Sequence, residues 1–362
     1  MYMLARVFQS LAERKPDLDA GVFAYAKAGF GDYPGFLSAF GYWIGSCIGN
    51  VSYWVLIKST LGAFFPIFGD GNTVVAILVA SIGIWLFHFM ILRGTQQAAV
   101  INSIVTVAKV VPILVFIVLL IFAFKLDLFS ANLYGGDLTG SVFEQVRATM
   151  LVTVFVFLGI EGASVYSRFA KERSDVGRAT IFGFIIVTSL MVLVTLLPYA
   201  VMQRADIAGM RQPSMATVLE AVVGHWGAVF VISTLFSEDA FTLALKLCSS
   251  MSLIPYLLVA GYGLLISRRD ETYETRPQER NRDLTIAAIA TLYTIFLLYA
   301  GGMKFIVLSA VLYAPGTALY FWARREQGKP VFTNVWDWVI FILAVIGAVV
   351  GIWWLATGYI TI

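Results

Sequence analysis

A glutamate between two glycines is the residue of this sequence whose type and placement speak most directly of chemistry. Glu161 stands in Phe157-Leu-Gly-Ile-Glu-Gly-Ala-Ser164, deep in an apolar run. A carboxylate in hydrocarbon is expensive, so its presence there asks for a reason. Gly159 and Gly162 weaken the helix around it. Opened backbone at membrane depth survives only where it lines a cavity or is buried in protein. Broken helices of this kind offer freed N–H and C=O groups to substrates and ions. The other reading is a small-residue notch in which a protonated Glu161 bonds a neighbouring helix.

Two further groups stand out. Lys109, in Thr106-Val-Ala-Lys-Val-Val-Pro112, lies about a third of the way into another apolar run. It either snorkels to the inner interface or serves as a buried ammonium that replaces a metal cation or relays a proton. Asn50 is three to four residues from Ser46 and Cys47, so all three share one helix face. Interhelical packing alone accounts for them as well as a functional polar face does. Lys58 and Lys246 sit near run ends, where snorkelling explains them. The two histidines, His88 and His225, and two cysteines, Cys47 and Cys248, are too few and too scattered for a metal centre, a Ser-His site or a disulfide framework. No metal, no cofactor and no enzymatic activity are expected.

The elements that position these residues must be membrane helices. The chain has 362 residues, of which 13% are charged and 59% hydrophobic, with mean hydropathy +0.84. Soluble domains average about 25% charged residues. Disorder, a disulfide scaffold and an ordinary soluble enzyme are excluded, and a net charge of +3 is too small for nucleic-acid binding. About 20 helical apolar residues cross a bilayer core of about 30 Å. Nine runs qualify, near 34–66, 73–93, 98–124, 147–167, 177–202, 241–266, 284–302, 305–323 and 336–360. The fold class is therefore an all-α polytopic membrane protein. Trp43, Trp54, Trp85, Trp322, Trp336 and Trp338 mostly lie near run ends, as interface anchors do.

Residues 1–33 lack the pattern of a signal peptide. The spacing of Leu4, Val7, Phe8 and Leu11 predicts a surface or interfacial helix there. A helical bundle then runs over 34–323, and 324–362 forms a cytoplasmic loop plus a further C-terminal span. Lys and Arg concentrate in connections 1–33, 168–178, 268–283 and 324–329. Nine spans put all four on the inner side, as the positive-inside bias requires. A tenth crossing at 221–236 would move the arginines of 268–283 outside, so that stretch is expected not to span.

At these same residues the chain resembles a known family. Phe157–Val165, followed by Arg168, Lys171 and Val-Gly-Arg-Ala-Thr180, looks like the broken sixth helix and next loop of amino-acid/polyamine antiporters. Tyr42-Trp-Ile-Gly-Ser-Cys-Ile-Gly-Asn50 resembles their third helix. Ser10–Gly21 and Ser249-Ser-Met-Ser-Leu-Ile-Pro-Tyr256 resemble the arginine/ornithine antiporter branch. The resemblance implies a five-plus-five inverted-repeat fold without cofactor. It places Met1 within the second helix, with no counterpart of the first, and joins the start of the eighth helix to the end of the ninth between about Phe230 and Ile232.

By the same resemblance, Ser46, Cys47 and Asn50 face the substrate side chain, Phe155 is an aromatic gate, and Gly159 and Gly162 open the backbone at the site. Glu161 is a proton-sensitive coupling residue. Lys109 is a lysine standing in for sodium. The implied activity is exchange of arginine for ornithine, or of related cationic amino acids, across the bacterial cytoplasmic (inner) membrane. Homodimers are common among such relatives. The alternative is a non-transporting remnant, or a membrane partner of an intact antiporter.

Overall fold

The computed structural model describes residues 1–18, 21–69, 71–93, 95–133, 141–162, 173–210, 214–224, 238–274 and 276–360. Every regular element among them is helical: α1 (Tyr2–Arg14), α2 (Val22–Phe30), α3 (Asp32–Phe64), α4 (Val74–Leu92), α5 (Thr95–Phe122), α6 (Leu126–Leu133), α7 (Val142–Val156), α8 (Arg173–Leu196), α9 (Arg204–Ala208), α10 (Ser214–Val223), α11 (Glu238–Arg269), α12 (Pro277–Gly301), α13 (Met303–Glu326) and α14 (Val335–Ala356), with short 3-10 turns at Pro66–Phe68 and Leu197–Ala200. Seven described helices are long and apolar enough to cross a membrane. They coincide with seven of the nine expected runs. The other two are α3, a continuous 33-residue helix, and the run at 147–167, where α7 stops at Val156. The chain divides into two compact units, Met1–Gly49 with Gly140–Ile186 and Leu243–Ile362, and Asn50–Thr139 with Val187–Thr242.

The first unit is built around α1 and α11. Leu4, Val7, Phe8 and Leu11 are almost fully buried, packed with Tyr256, Val259, Ala260, Ala287 and Ala290. The helix expected from this spacing is present, with its apolar face packed on α11 and α12. A period of three and four residues identifies an apolar face, and here that face is covered by protein rather than lipid headgroups. The polar end of α1 is tied down as well. Arg14 reaches Glu279 at 2.7 Å and Asp283 at 3.0 Å, lies 3.9 Å over the Tyr273 ring, and donates to the Thr272 carbonyl.

These contacts bear on sidedness. Arg14–Glu279 and Lys15–Glu271 join connection 1–33 to 268–283. Arg324 meets Asp32 at 2.8 Å and so joins 1–33 to 324–329. A Cβ placed on Gly177 would run into the side chains of Gln9 and Glu13, which brings the start of α8 to the same end. The described parts of the basic connections therefore gather on one face of the unit.

A glycine stripe sets how closely α3 packs. Gly41, Gly45 and Gly49 recur every four residues, the spacing that lets helices approach in membranes. A Cβ on Gly41 would overlap the Tyr313 hydroxyl, and one on Gly45 would sit 3.4 Å from the Cys248 carbonyl and Met251 Cβ. The second unit has its own core, with Phe116, Ile117 and Leu120 of α5 packed on Leu197, Val218 and Leu219. Asn132 of α6 donates to the carbonyls of Tyr199 and Met202 and accepts from the Arg204 N–H, holding the turn after α8 in place.

Of the stretch 221–236, only its first residues are described: α10 ends at Val223, and Gly224 follows with φ +81°. The rest, His225 included, lies outside the described residues.

Candidate functional site

α7 begins with a capping box, Ser141 and Glu144 satisfying each other's backbone N–H. It ends fifteen residues later at Val156. From there the backbone runs through tight turns, with Leu158 N–H donating to Phe155 O, Ile160 N–H to Phe157 O, and Gly162 N–H to Gly159 O. Gly159 takes φ +104°, a conformation that a side chain strongly disfavours. The helix break expected from the two glycines is present over 157–161, with Glu161 its last residue. Added Cβ atoms at Gly159 or Gly162 would meet nothing within 4 Å, so open space borders the break among the described residues.

Glu161 itself is 1% exposed. Its Oε1 accepts from the Tyr42 hydroxyl of α3 at 2.6 Å, and its Oε2 from the Tyr256 hydroxyl of α11 at 2.5 Å. Both oxygens also lie 3.2 Å from the Gly159 N–H, folded back across the break. Three separate chain segments therefore meet at one carboxylate. Nearby, Ser249 of α11 donates to the Leu151 carbonyl at 2.8 Å, fixing α11 against the last turns of α7. Phe157 stacks on Phe184 of α8 at 5.0 Å.

The neighbours along α3 follow from helix geometry. At about 100° per residue, Tyr42 falls between the glycine stripe and an arc that holds Ser46, Asn50 and Cys47. All three of these are exposed. Ser46 donates to the Tyr42 carbonyl, one turn back. Asn50 is the next turn of the same helix, where the second unit begins. Phe155 is half-buried in the last turn of α7. In the first unit the structure thus gathers Glu161, Gly159, Gly162 and Phe155 at the break, and Ser46 and Cys47 on the helix whose Tyr42 reaches it. Lys109 is exposed on α5 in the second unit.

Sequence reasoning missed Tyr42 and Tyr256. Each lies inside a motif singled out for its resemblance, but no local spacing connects them to Glu161. The signal available was chemical: a buried carboxylate needs donors, and a tyrosine in an apolar helix has one to offer. Among the described residues no group of His, Cys, Asp or Glu is arranged to hold a metal.

Comparison with known proteins bears on this site. The amino acid permease family model matches residues 1–234. An arginine/ornithine antiporter of Pseudomonas aeruginosa is 47% identical over 431 aligned positions, covering 100% of this chain and 89% of that protein. An L-lysine transport protein of Corynebacterium glutamicum is 34% identical, covering 100% of this chain and 87% of the relative. An arginine/agmatine antiporter of Chlamydia caviae is 32% identical, covering 91% and 82%.

Proposed function

The chain belongs to the amino acid permease family, and we propose that it is a secondary transporter that exchanges arginine for ornithine across the bacterial inner membrane by alternating access. The observation that carries this reading is 47% identity along the whole chain to an arginine/ornithine antiporter. The lysine and arginine/agmatine relatives support a cationic amino acid as the substrate class. A helix broken next to a buried carboxylate, with open space beside it among the described residues, supports the position of the site.

In this reading the substrate's cationic side chain runs along Ser46, Cys47 and Asn50 and lies over the Phe155 ring by a cation–π contact. The backbone opened at Gly159 and Gly162 takes its polar end. No covalent chemistry is needed. Glu161 clasps α3 and α11 through Tyr42 and Tyr256 and is the proton-sensitive coupling residue. Protonation exchanges an acceptor site for a donor, which loosens the clasp and lets the segments part. Lys109 acts as a second coupling residue. The architecture is a five-plus-five inverted repeat with about nine spans, its bundle at 34–323 and an additional span beyond 324, and two copies form a dimer.

One observation favours a second reading. The alignment to the Pseudomonas aeruginosa relative has 431 positions and this chain supplies 362 residues, all of them covered. The surplus residues of the relative face gaps within this chain. The family match also stops at residue 234, beside the junction expected at Phe230–Ile232. Helices missing at that junction, as the resemblance implies, would leave a non-transporting protein that partners an intact antiporter.

Proteoliposomes loaded with ornithine separate the two. The antiport reading expects labelled arginine to enter above the level of protein-free vesicles, and only with ornithine inside. Uptake at the protein-free level rejects exchange by this chain and leaves the second reading.

A further inference from the structure

Where α2, the start of α3 and the end of α13 meet, the first unit holds a cavity of about 290 Å³ that the transport reading does not use. Its charged lining is Lys27, Arg324 and Lys329 against a single carboxylate, Asp32. Arg324 is the buried base of the site, its side chain 9% exposed. It donates to Asp32 at 2.8 Å and to the Pro330 carbonyl at 2.9 Å. Lys27 meets the other oxygen of Asp32 at 3.1 Å yet keeps 59% of its side chain in the open. Its stem lies on Gly35, where a Cβ would come within 2.7 Å of Lys27 Cβ. Lys329 is exposed and makes no ion pair among the described residues. Asp32 is thus neutralised twice over, and two cationic charges remain uncompensated.

The other wall is apolar, made by Phe23 and Phe36 among others. Around it stand exposed tryptophans: Trp322 two residues before Arg324, and Trp336 and Trp338 at the start of α14, at 70%, 74% and 53% exposure. Trp338 packs on Phe332, which stacks on the cavity-lining Tyr320. Exposed tryptophans at helix ends mark headgroup depth. A basic pocket between transmembrane helices at that depth suits an acidic lipid head. The volume, at the small end of about 300–1,000 Å³ for ligand sites, fits a headgroup and leaves the acyl chains outside.

We propose that this cavity binds the phosphate headgroup of an anionic phospholipid, with Lys27, Lys329 and Arg324 around the phosphate and the acyl chains running past Phe23 and Phe36. The proposal rests on the chain being a multi-pass membrane protein and is independent of whether it exchanges arginine.

The test uses the full chain in detergent, with thermal shift and native mass spectrometry as readouts. The probes are dioctanoyl phosphatidylglycerol, dioctanoyl phosphatidylcholine and glycerol phosphate. The glycerol lipid is expected to raise the melting temperature and to be retained in the gas phase, and the other two are not. Each lysine removed should weaken its binding about fivefold, so K27Q/K329Q should lose about 25-fold. R269Q, an exposed arginine outside the cavity, should bind as the parent does. Equal effects of the two lipids overturn the proposal, as does unchanged affinity in the double variant. An equal effect of glycerol phosphate assigns the cavity to free phosphate and overturns the lipid. Should the double variant not fold, K329Q alone decides: it alters a residue outside the helices, and undiminished lipid affinity there is a refutation.

Discussion

Tyr256 of α11 donates its hydroxyl to Glu161 at 2.5 Å, across 95 residues of sequence, in a site where the carboxylate is 1% exposed. With Tyr42 on the other oxygen, this bond makes the broken segment after α7 a joint between α3 and α11. A buried acceptor stripped of a donor keeps its desolvation penalty. Tyr256→Phe should therefore cost about 1–3 kcal/mol, the range for an unsatisfied buried acceptor. Melting of the purified variant measures it. A Tyr256→Phe/Glu161→Gln pair that loses less than the sum of the single variants confirms that the two act together. Strict additivity contradicts the joint.

The two glycines at the break should behave differently. Gly159 has φ +104° and Gly162 does not share a positive φ. Neither would bring a Cβ against another atom of the described residues. Gly159→Ala should thus destabilise through backbone strain alone, by roughly 1–3 kcal/mol. Gly162→Ala should leave the melting temperature nearly unchanged and show its effect on arginine binding instead. Equal melting losses would contradict the assigned backbone.

The break was legible in the sequence because its cause is local: two glycines and a carboxylate inside one apolar run. The membrane helices were legible for the same reason, since length and hydropathy are read along the chain. What Glu161 touches was not, because Tyr42 and Tyr256 reach it through tertiary packing that leaves no spacing rule. The partners of α1 were not legible either. Leu4, Val7, Phe8 and Leu11 identify an apolar face correctly, but lipid and protein offer that face the same solvent, and only its partners on α11 and α12 decide between them.

Packing of α3 makes a third prediction. A Cβ on Gly41 would collide with the hydroxyl of Tyr313, which donates to the Met251 carbonyl. Gly41→Ala should cost about 1–3 kcal/mol, as overpacking does. Adding Tyr313→Phe removes the colliding oxygen and should recover part of the loss. A double variant worse than the sum of both changes would refute this contact.

Acid stability gives a fourth. Lys27's hydrogen bond is the largest cause holding Asp32 below the ordinary carboxylate range; burial opposes it, and the charges of Lys27 and Arg324 add to it. A depressed folded pKa stabilises above the unfolded value of about 3.9. That contribution is lost as pH falls through the lower, folded value. Asp32→Asn should therefore be less stable than the parent near neutral pH, and the gap should narrow as pH falls below about 4. Parallel melting curves across that range would show that the pair contributes nothing.

The central claim is that the polar arc on α3 beside the break faces a watery path where arginine binds. Nature has supplied a probe, because Cys47 on that arc is exposed and Cys248 is buried. The measurement is modification of Cys47 by a charged, water-soluble thiol reagent in native membranes, in a Cys248→Ser background, with and without arginine. The account predicts ready modification that arginine and ornithine slow and that an uncharged amino acid does not. A Cys47 that stays unmodified, or is modified at the same rate with arginine present, would contradict it.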